Sequence, residues 1–173
     1  EMAEYKKTGT CKILIVTGCM AQRYKEEITE EIPEVDAVLG TTSYGDIVKA
    51  LNEAEAGHVF QEFKDINALP EDSGRRVITT GGHFGYLKIA EGCDKHCTYC
   101  IIPSLRGKFR SVPEERLLKQ AEYMASQGVR ELILVAQETT VYGTDLYGKK
   151  TLHILLKKLC QIKGIRWIRV LYC

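Results

Sequence analysis

The sequence predicts an α/β protein in which a partial N-terminal domain with a parallel sheet precedes the first half of a β/α barrel. Short apolar runs alternate with amphipathic stretches of helical period, and this alternation is typical of strands joined by helices in parallel sheets. A stretch without such a period separates two alternating series. We therefore assign residues 1–55 to the N-terminal domain, 56–84 to a linker and 85–173 to the barrel.

The N-terminal domain is predicted to run β-α-β-α. The apolar run "CKILIVTGC" at 11–19 predicts a buried parallel strand. The charged segment "AQRYKEEITEEI" predicts an amphipathic helix that stops before Pro33. The run "VDAVLG" predicts a second strand, and "TTSYGDIVKALNEA" predicts a helix that begins at hydroxyl caps. The linker that follows contains one candidate strand, "RRVITT".

The barrel segment is predicted to run β-α-β-α-β. The strand "GYLKIAEG" leads into a cysteine-rich loop, and Ser111 is a candidate cap for a helix that ends at Gly128. The strand "RELILVA" at 130–136 is followed by the loop "QETTVYGTDLYG". A leucine-lined helix stops at Gly164, and "IRWIRVLYC" predicts the last strand. The chain ends on this uncovered apolar strand, so we expect it to be a fragment of a longer protein.

Composition excludes several classes of protein. Of 173 residues, 45% are hydrophobic and 27% charged, which is typical of a globular domain. The net charge of +1 gives no overall field that would attract DNA or an acidic membrane. No apolar run approaches the roughly 18–20 residues that span a bilayer, and the N-terminus has no apolar signal core. The sequence therefore predicts a cytoplasmic protein with neither membrane nor DNA as a partner.

Three of the seven cysteines, Cys93, Cys97 and Cys100, fall within eight positions directly after a predicted strand. An odd, clustered set without an export signal favours metal binding over a disulfide framework. A zinc site would need a fourth ligand, which Asp94 or His96 could offer. The spacing of three and two residues favours a [4Fe–4S] cluster, in which three thiolates leave one iron open. A non-catalytic zinc-binding module remains the alternative, and visible absorption distinguishes the two.

The wider motifs carry a family resemblance. The stretches "KIAEGCDKHCTYCIIPSLRGKFRS", "ELILVAQETTVYGTDLYG" and "VTGCMAQRY" together resemble the radical S-adenosylmethionine (radical SAM) methylthiotransferase family. The resemblance implies a partial Rossmann-like methylthiotransferase domain followed by the first half of a radical SAM partial TIM barrel. "CTYCIIP" and "AQETTVYGTDLYG" are more similar to the branch that methylthiolates an aspartate of ribosomal protein S12. A tRNA adenosine methylthiotransferase, whose second motif tends towards "GQNVNSYG", is the alternative.

The resemblance implies two [4Fe–4S] clusters and S-adenosylmethionine as cofactors. The radical SAM cluster would lie on Cys93, Cys97 and Cys100, and its open iron would chelate the amino and carboxylate groups of S-adenosylmethionine. Cys19 would be one of three ligands of the second cluster, whose other two cysteines would precede residue 1. The implied partners are ribosomal protein S12 or the small ribosomal subunit, and an electron donor. The rest of the barrel and a TRAM domain have no counterpart here, so we expect the 173-residue chain alone to be inactive on the substrate.

Other site residues are weaker candidates. The resemblance places Tyr99 against the adenine of the cofactor. Gln137 and Arg110 are candidate cofactor contacts, because mixed amide groups and guanidinium groups suit a methionine zwitterion. The remaining cysteines, Cys11, Cys160 and Cys173, are predicted to pack as small apolar side chains. The sequence singles out no catalytic residue.

Overall fold

The computed structural model of the chain describes residues 1–69 and 76–173. The chain forms two compact units, Glu1–Ser73 and Gly74–Cys173. Residues 70–75 of the predicted linker lie outside the described residues, as does the first residue of the candidate strand "RRVITT". Residues 76–80 of that candidate strand form no strand, so the prediction of one there is wrong for the part that is described.

The N-terminal unit contains a three-stranded parallel sheet in the order β1-β2-β3. Its strands are β1 Ile15–Thr17, β2 Ala37–Leu39 and β3 Phe60–Glu62. β1 and β2 lie inside the two predicted strands. β3 was not predicted, because it lies within the predicted linker and its sequence contains no apolar run. Its backbone pairing with β2 places this part of the predicted linker in the sheet.

The N-terminal unit has one helix that was not predicted, α1 Glu4–Thr8, and its other helices are shorter than the two predicted ones. These other helices are α2 Cys19–Tyr24, α3 Glu26–Glu31 and α4 Ile47–Glu55, with a 3₁₀ turn at Tyr44–Asp46 before α4. The single helix predicted between β1 and β2 is broken at Lys25, whose φ of 39° lies in the left-handed region. Ala37 and Leu39 face Ala50 of α4, while Val38 packs with Ala21 of α2, so helices cover both faces of β2.

The second unit contains the barrel strands. β4 Phe84–Lys88, β7 Glu131–Val135 and β8 Trp167–Val170 form a parallel sheet in the order β4-β7-β8. A small antiparallel pair, β5 Ala90–Glu91 and β6 Arg110–Ser111, lies between β4 and β7 in the chain. The helices are α5 Ile102–Arg106, α6 Glu114–Ser126, α7 Thr144–Tyr147 and α8 Leu152–Leu159.

One face of this sheet is packed against helices. Leu87, Leu132 and Leu134 are fully buried. Gly85 of β4 lets α6 approach, because a Cβ there would meet the Met124 side chain at 2.4 Å. On the opposite face Trp167 is 65% exposed. The strands follow one another in sequence order, pair in parallel and carry helices on one face, as the first strands of a β/α barrel do. The predicted fold class is confirmed.

The start of α6 differs from the prediction. No side chain caps this helix, which follows Pro113 in an extended conformation. Ser111 belongs instead to β6, where its hydroxyl donates to Asp145 at 2.6 Å. Through that bond Ser111 joins β6 to α7 rather than beginning a helix. Within the described residues, no helix is both long enough and apolar enough to cross a lipid bilayer.

Candidate metal centre

The three clustered cysteines lie on a loop between β5 and α5. The Cys93 N–H donates to the Gly107 carbonyl at 3.2 Å, and the Cys100 N–H donates to the Cys97 carbonyl at 3.0 Å. The first bond ties the start of the loop to the residue that follows α5. The second closes a turn within it. The cysteine loop, as we call residues 92–100, is therefore anchored at its base and has no helix or strand of its own.

Gly92 allows this anchoring. Its φ of +74° lies in the left-handed region, and a Cβ there would stand 2.1 Å from the Lys108 carbonyl oxygen. No side chain fits in that space, and only glycine takes this conformation without strain. The backbone before Cys93 therefore passes directly against the segment that returns from α5.

The thiols of the cysteine loop are free, and their exposure differs. Cys93 and Cys100 are half-buried, and Cys97 is exposed. Among the described residues, no three His, Cys, Asp or Glu side chains converge as a ready metal site. The donor set itself fits a thiophilic metal, since three thiols lie on eight residues of a loop without regular structure.

The two residues considered as a fourth zinc ligand differ in their surroundings. Asp94 accepts a hydrogen bond from the Phe109 N–H at 2.9 Å, so its carboxylate helps to hold the cysteine loop against β6. His96 is exposed. The bond to Phe109 engages one oxygen of the Asp94 carboxylate and gives this residue a structural role in the cysteine loop.

A buried carboxylate stands at the base of the cysteine loop. Glu91 is 3% exposed. It forms ion pairs with Lys88 and with Arg106, the latter at 3.4 Å. A buried carboxylate is stable only when paired, so these two cations fix the strand end that precedes Cys93. Sequence reasoning missed Glu91, although its position directly before "GC" could have marked it.

The candidate cofactor contacts Tyr99 and Arg110 lie in different environments. Tyr99 is 91% exposed and is free to meet a ligand. The Arg110 guanidinium donates to the Arg106 carbonyl at 3.1 Å and also to the Lys108 carbonyl. In the structure, therefore, Arg110 supports the backbone around α5, and its contact with a cofactor stays a prediction.

The loop after β7 reaches the cysteine loop at two points. The Gln137 side-chain oxygen accepts the Gly92 N–H at 2.8 Å. Glu138 forms an ion pair with Lys95, which lies between Cys93 and Cys97. The hydrogen bond from Lys95 lowers the pKa of Glu138 below its usual range, and the same contact raises the pKa of Lys95. Sequence analysis gave Gln137 as a candidate cofactor contact and did not single out Glu138.

A third tie joins the same loop to β6. Asp145 accepts the Ser111 N–H at 2.8 Å as well as the Ser111 hydroxyl. That hydroxyl accepts the Gly143 N–H at 2.9 Å. The segment after β7 is therefore attached to the start of the cysteine loop and to β6, and the two sequence motifs form one connected site.

Tyr142 makes a further contact from the loop after β7, and its effect on stability can be measured. It is fully buried, and its hydroxyl donates to the Val112 carbonyl at 2.9 Å. Burial raises the pKa of Tyr142 above its usual value of 10.0. Because the folded state holds the proton more tightly, the contribution of Tyr142 is complete below pH of about 10 and declines as the pH rises above it.

We expect Tyr142→Phe to lower the free energy of unfolding by about 1–3 kcal/mol at neutral pH, because the Val112 carbonyl loses its buried partner. The variant should also lose less stability than the unaltered protein between neutral and strongly alkaline pH. Urea unfolding across this range measures both effects. Tyr147→Phe, at an exposed tyrosine of the neighbouring α7, is the control. Equal alkaline losses in the unaltered protein and Tyr142→Phe would contradict the account.

The other four cysteines occupy varied positions. Cys19 begins α2, two residues beyond the end of β1, and Cys11 lies before that strand, as expected. Cys11 is half-buried and donates to the Ile13 carbonyl at 3.4 Å. The prediction that Cys160 and Cys173 are buried is wrong, because both are exposed. Cys160 follows the apolar face of α8 by one residue and so points away from the core.

Comparison with known proteins agrees with this site. Residues 87–172, which include the cysteine loop and the loop after β7, match the Radical SAM superfamily. Residues 1–40 match the family described as Uncharacterized protein family UPF0004. These two matches, together with the similar curated proteins, confirm the resemblance inferred from the sequence.

Three of the similar curated proteins carry the name ribosomal protein uS12 methylthiotransferase RimO. That of Lachnoclostridium phytofermentans is 63% identical over 173 residues, which is all of this chain and 39% of the relative. That of Clostridium botulinum strain Eklund 17B is 53% identical over 175 residues, again 39% of its length. The Clostridioides difficile protein is 52% identical over 170 residues. The chain therefore spans about two fifths of the length of the relatives it matches.

Proposed function

We propose that the protein acts in the methylthiolation of an aspartate on ribosomal protein uS12, by radical SAM chemistry. The observation that carries the proposal is a three-thiol loop that follows β5, just beyond the C-terminal end of the barrel strand β4, in a chain 63% identical to a protein named for that reaction. β/α barrels place their chemistry at the C-terminal ends of strands. The relatives named above carry the uS12 name, which favours this substrate over adenosine in tRNA.

Cys93, Cys97 and Cys100 are the proposed ligands of a [4Fe–4S] cluster. When bound, that cluster supplies an open iron for S-adenosylmethionine and the electron that cleaves it. Tyr99 and Gln137 are proposed cofactor contacts, and Arg110 remains a further candidate. Glu91, Gln137 and Asp94 hold the backbone that carries the thiols.

Cys19 is the proposed ligand of a second cluster, which would handle the sulfur. Its support is positional: parallel α/β sheets bind ligands beyond the carboxyl ends of their strands, and Cys19 lies two residues after β1. An electron donor and ribosomal protein uS12 are the proposed partners. A ribosomal substrate also favours the cytoplasm as the place of action.

A chimera tests the proposal. Residues 1–173 would replace the matching segment of the Lachnoclostridium phytofermentans relative, with which they share 63% identity. Incubation without oxygen, with a reductant, S-adenosylmethionine, a sulfur source and uS12, should add the mass of one methylthio group to the substrate aspartate. The same chimera with Cys97→Ala should add none. Failure of the chimera under conditions in which the parent relative succeeds would contradict the proposal.

The 173-residue chain alone should show a different result in the same assay. Its described barrel sheet has three strands, and the face that carries Trp167 is open to water. A radical formed there would lack walls to hold a substrate in a reactive position. We expect at most slow cleavage of S-adenosylmethionine and no mass gain on uS12. Methylthiolation by the chain alone would show that these three strands suffice.

A further inference from the structure

The cysteine loop has few attachments between its ends. Residues 94–99 form no helix or strand and are exposed. Two side-chain contacts hold this stretch to the rest of the unit: Asp94 to the Phe109 N–H, and Lys95 to Glu138. Loss of either contact would leave the part of the loop that carries Cys97 with little to fix it.

The Glu138 carboxylate is buried and held in a fixed orientation by its own loop. The carboxylate is 7% exposed and accepts hydrogen bonds from the Thr140 N–H, at 3.1 Å, and from the Thr140 hydroxyl. Its own loop therefore orients it before it meets Lys95. The Lys95 side chain is 62% exposed and would otherwise move freely. In this pair a rigid buried anion holds a mobile cation.

Lys95 lies between Cys93 and Cys97 in the cysteine loop, so its ion pair with Glu138 affects the surroundings of both thiols. Cys93 and Cys97 are each two residues away, and thiolates there would attract the same ammonium group. In the structure the Glu138 carboxylate engages this ammonium group. The contact thus acts on both the path of the backbone and the charge beside the thiols.

We propose that Glu138 is a positioning residue, which holds the cysteine loop through Lys95 in the arrangement that receives the metal. The role of that arrangement rests on the proposed function. Glu138 contacts Lys95 and Thr140, and it acts on the cysteine loop through Lys95. The neighbouring bond from the Gly92 N–H to Gln137 fixes the base of the loop, and Glu138 fixes its middle.

The first test uses the metal-free 173-residue protein and Glu138→Gln, which keeps the side-chain volume and removes the charge. The readout is hydrogen exchange at the Gly92, Cys93 and Cys100 amides, which are hydrogen-bonded in the structure. We expect exchange about three- to tenfold faster, since a charge-assisted bond is replaced by a neutral one. Lys95→Met should have a similar effect, and the double variant should be no worse than either single one.

Glu131→Gln is the matched control. It makes the same substitution on β7, where Glu131 pairs with Arg169 at 2.7 Å, but at the strand end away from the loop. Its exchange at the three amides should equal that of the unaltered protein. Circular dichroism melting of each variant shows whether the unit as a whole stays folded.

The second test follows the visible chromophore of protein reconstituted with iron and sulfide without oxygen. Under a chelator, Glu138→Gln should lose the chromophore several times faster than Glu131→Gln, at equal melting temperature. Exchange and chromophore loss both matching the control would overturn the proposal. If the unaltered protein takes up no iron, the proposed function fails, and faster exchange in Glu138→Gln and Lys95→Met still supports the positioning role.

Discussion

Alanine at Cys93, Cys97 or Cys100 is expected to abolish the brown chromophore of the reconstituted barrel unit. Each thiolate of a three-cysteine cluster holds a different iron, so no neighbouring sulfur can substitute for a missing one. The exposed Asp94 and His96 side chains are hard or intermediate ligands, and they do not replace a thiolate on iron–sulfur clusters of this kind. We therefore expect a loss that is nearly complete and equal at the three positions.

Anaerobic reconstitution followed by iron analysis and visible absorption measures this effect. Cys160→Ala is the control, since that thiol is exposed at the end of α8 and has no proposed ligand role. It should retain the full chromophore of the barrel unit. Retention of the chromophore in any one of the three cluster variants would remove that cysteine from the ligand set.

Gly92→Ala is expected to destabilise the second unit by about 3 kcal/mol or more. A Cβ would overlap the Lys108 carbonyl at 2.1 Å and the Gly107 carbonyl at 2.5 Å. Backbone must shift to relieve such overlap, which costs about 1–3 kcal/mol, and the left-handed φ adds about 1–2 kcal/mol. Displacement of Gly92 would also break its hydrogen bond to Gln137.

Gly148→Ala separates the two causes of this loss. Gly148 has a similar φ of +67°, but no atom lies within 4 Å of an added Cβ. Its substitution should cost only the conformational part, about 1–2 kcal/mol. Urea unfolding followed by circular dichroism measures both variants. Equal losses would show that the backbone near Lys108 gives way easily and that the base of the cysteine loop is not closely packed.

The strands were the most predictable part of the fold. The apolar runs at 11–19 and 130–136 each contain an observed strand, because burial on both faces demands continuous apolar residues. β3 has no such run. It was missed because its place in the sheet depends on pairing with β2 over three residues. The break at Lys25 was missed for a related reason, since the amphipathic period continues through it.

The clustered thiols were predictable from spacing, but the groups that hold them were not. Glu91, Glu138 and Asp145 contact the site through partners between 3 and 43 residues distant, and the sequence shows no local pattern for such pairs. Ser111 illustrates the difficulty. A serine shortly before Pro113 predicts a helix cap, but its hydroxyl donates to Asp145 of α7 instead.

The most direct test of the central claim is electron paramagnetic resonance of the reduced, anaerobically reconstituted protein, with and without S-adenosylmethionine, together with metal analysis. The account predicts about four irons at the barrel site. It also predicts a reduced-cluster spectrum that changes when S-adenosylmethionine is added and that disappears in Cys97→Ala. Stoichiometric zinc without iron uptake, or an iron–sulfur spectrum that S-adenosylmethionine leaves unchanged, would contradict an open iron held by Cys93, Cys97 and Cys100.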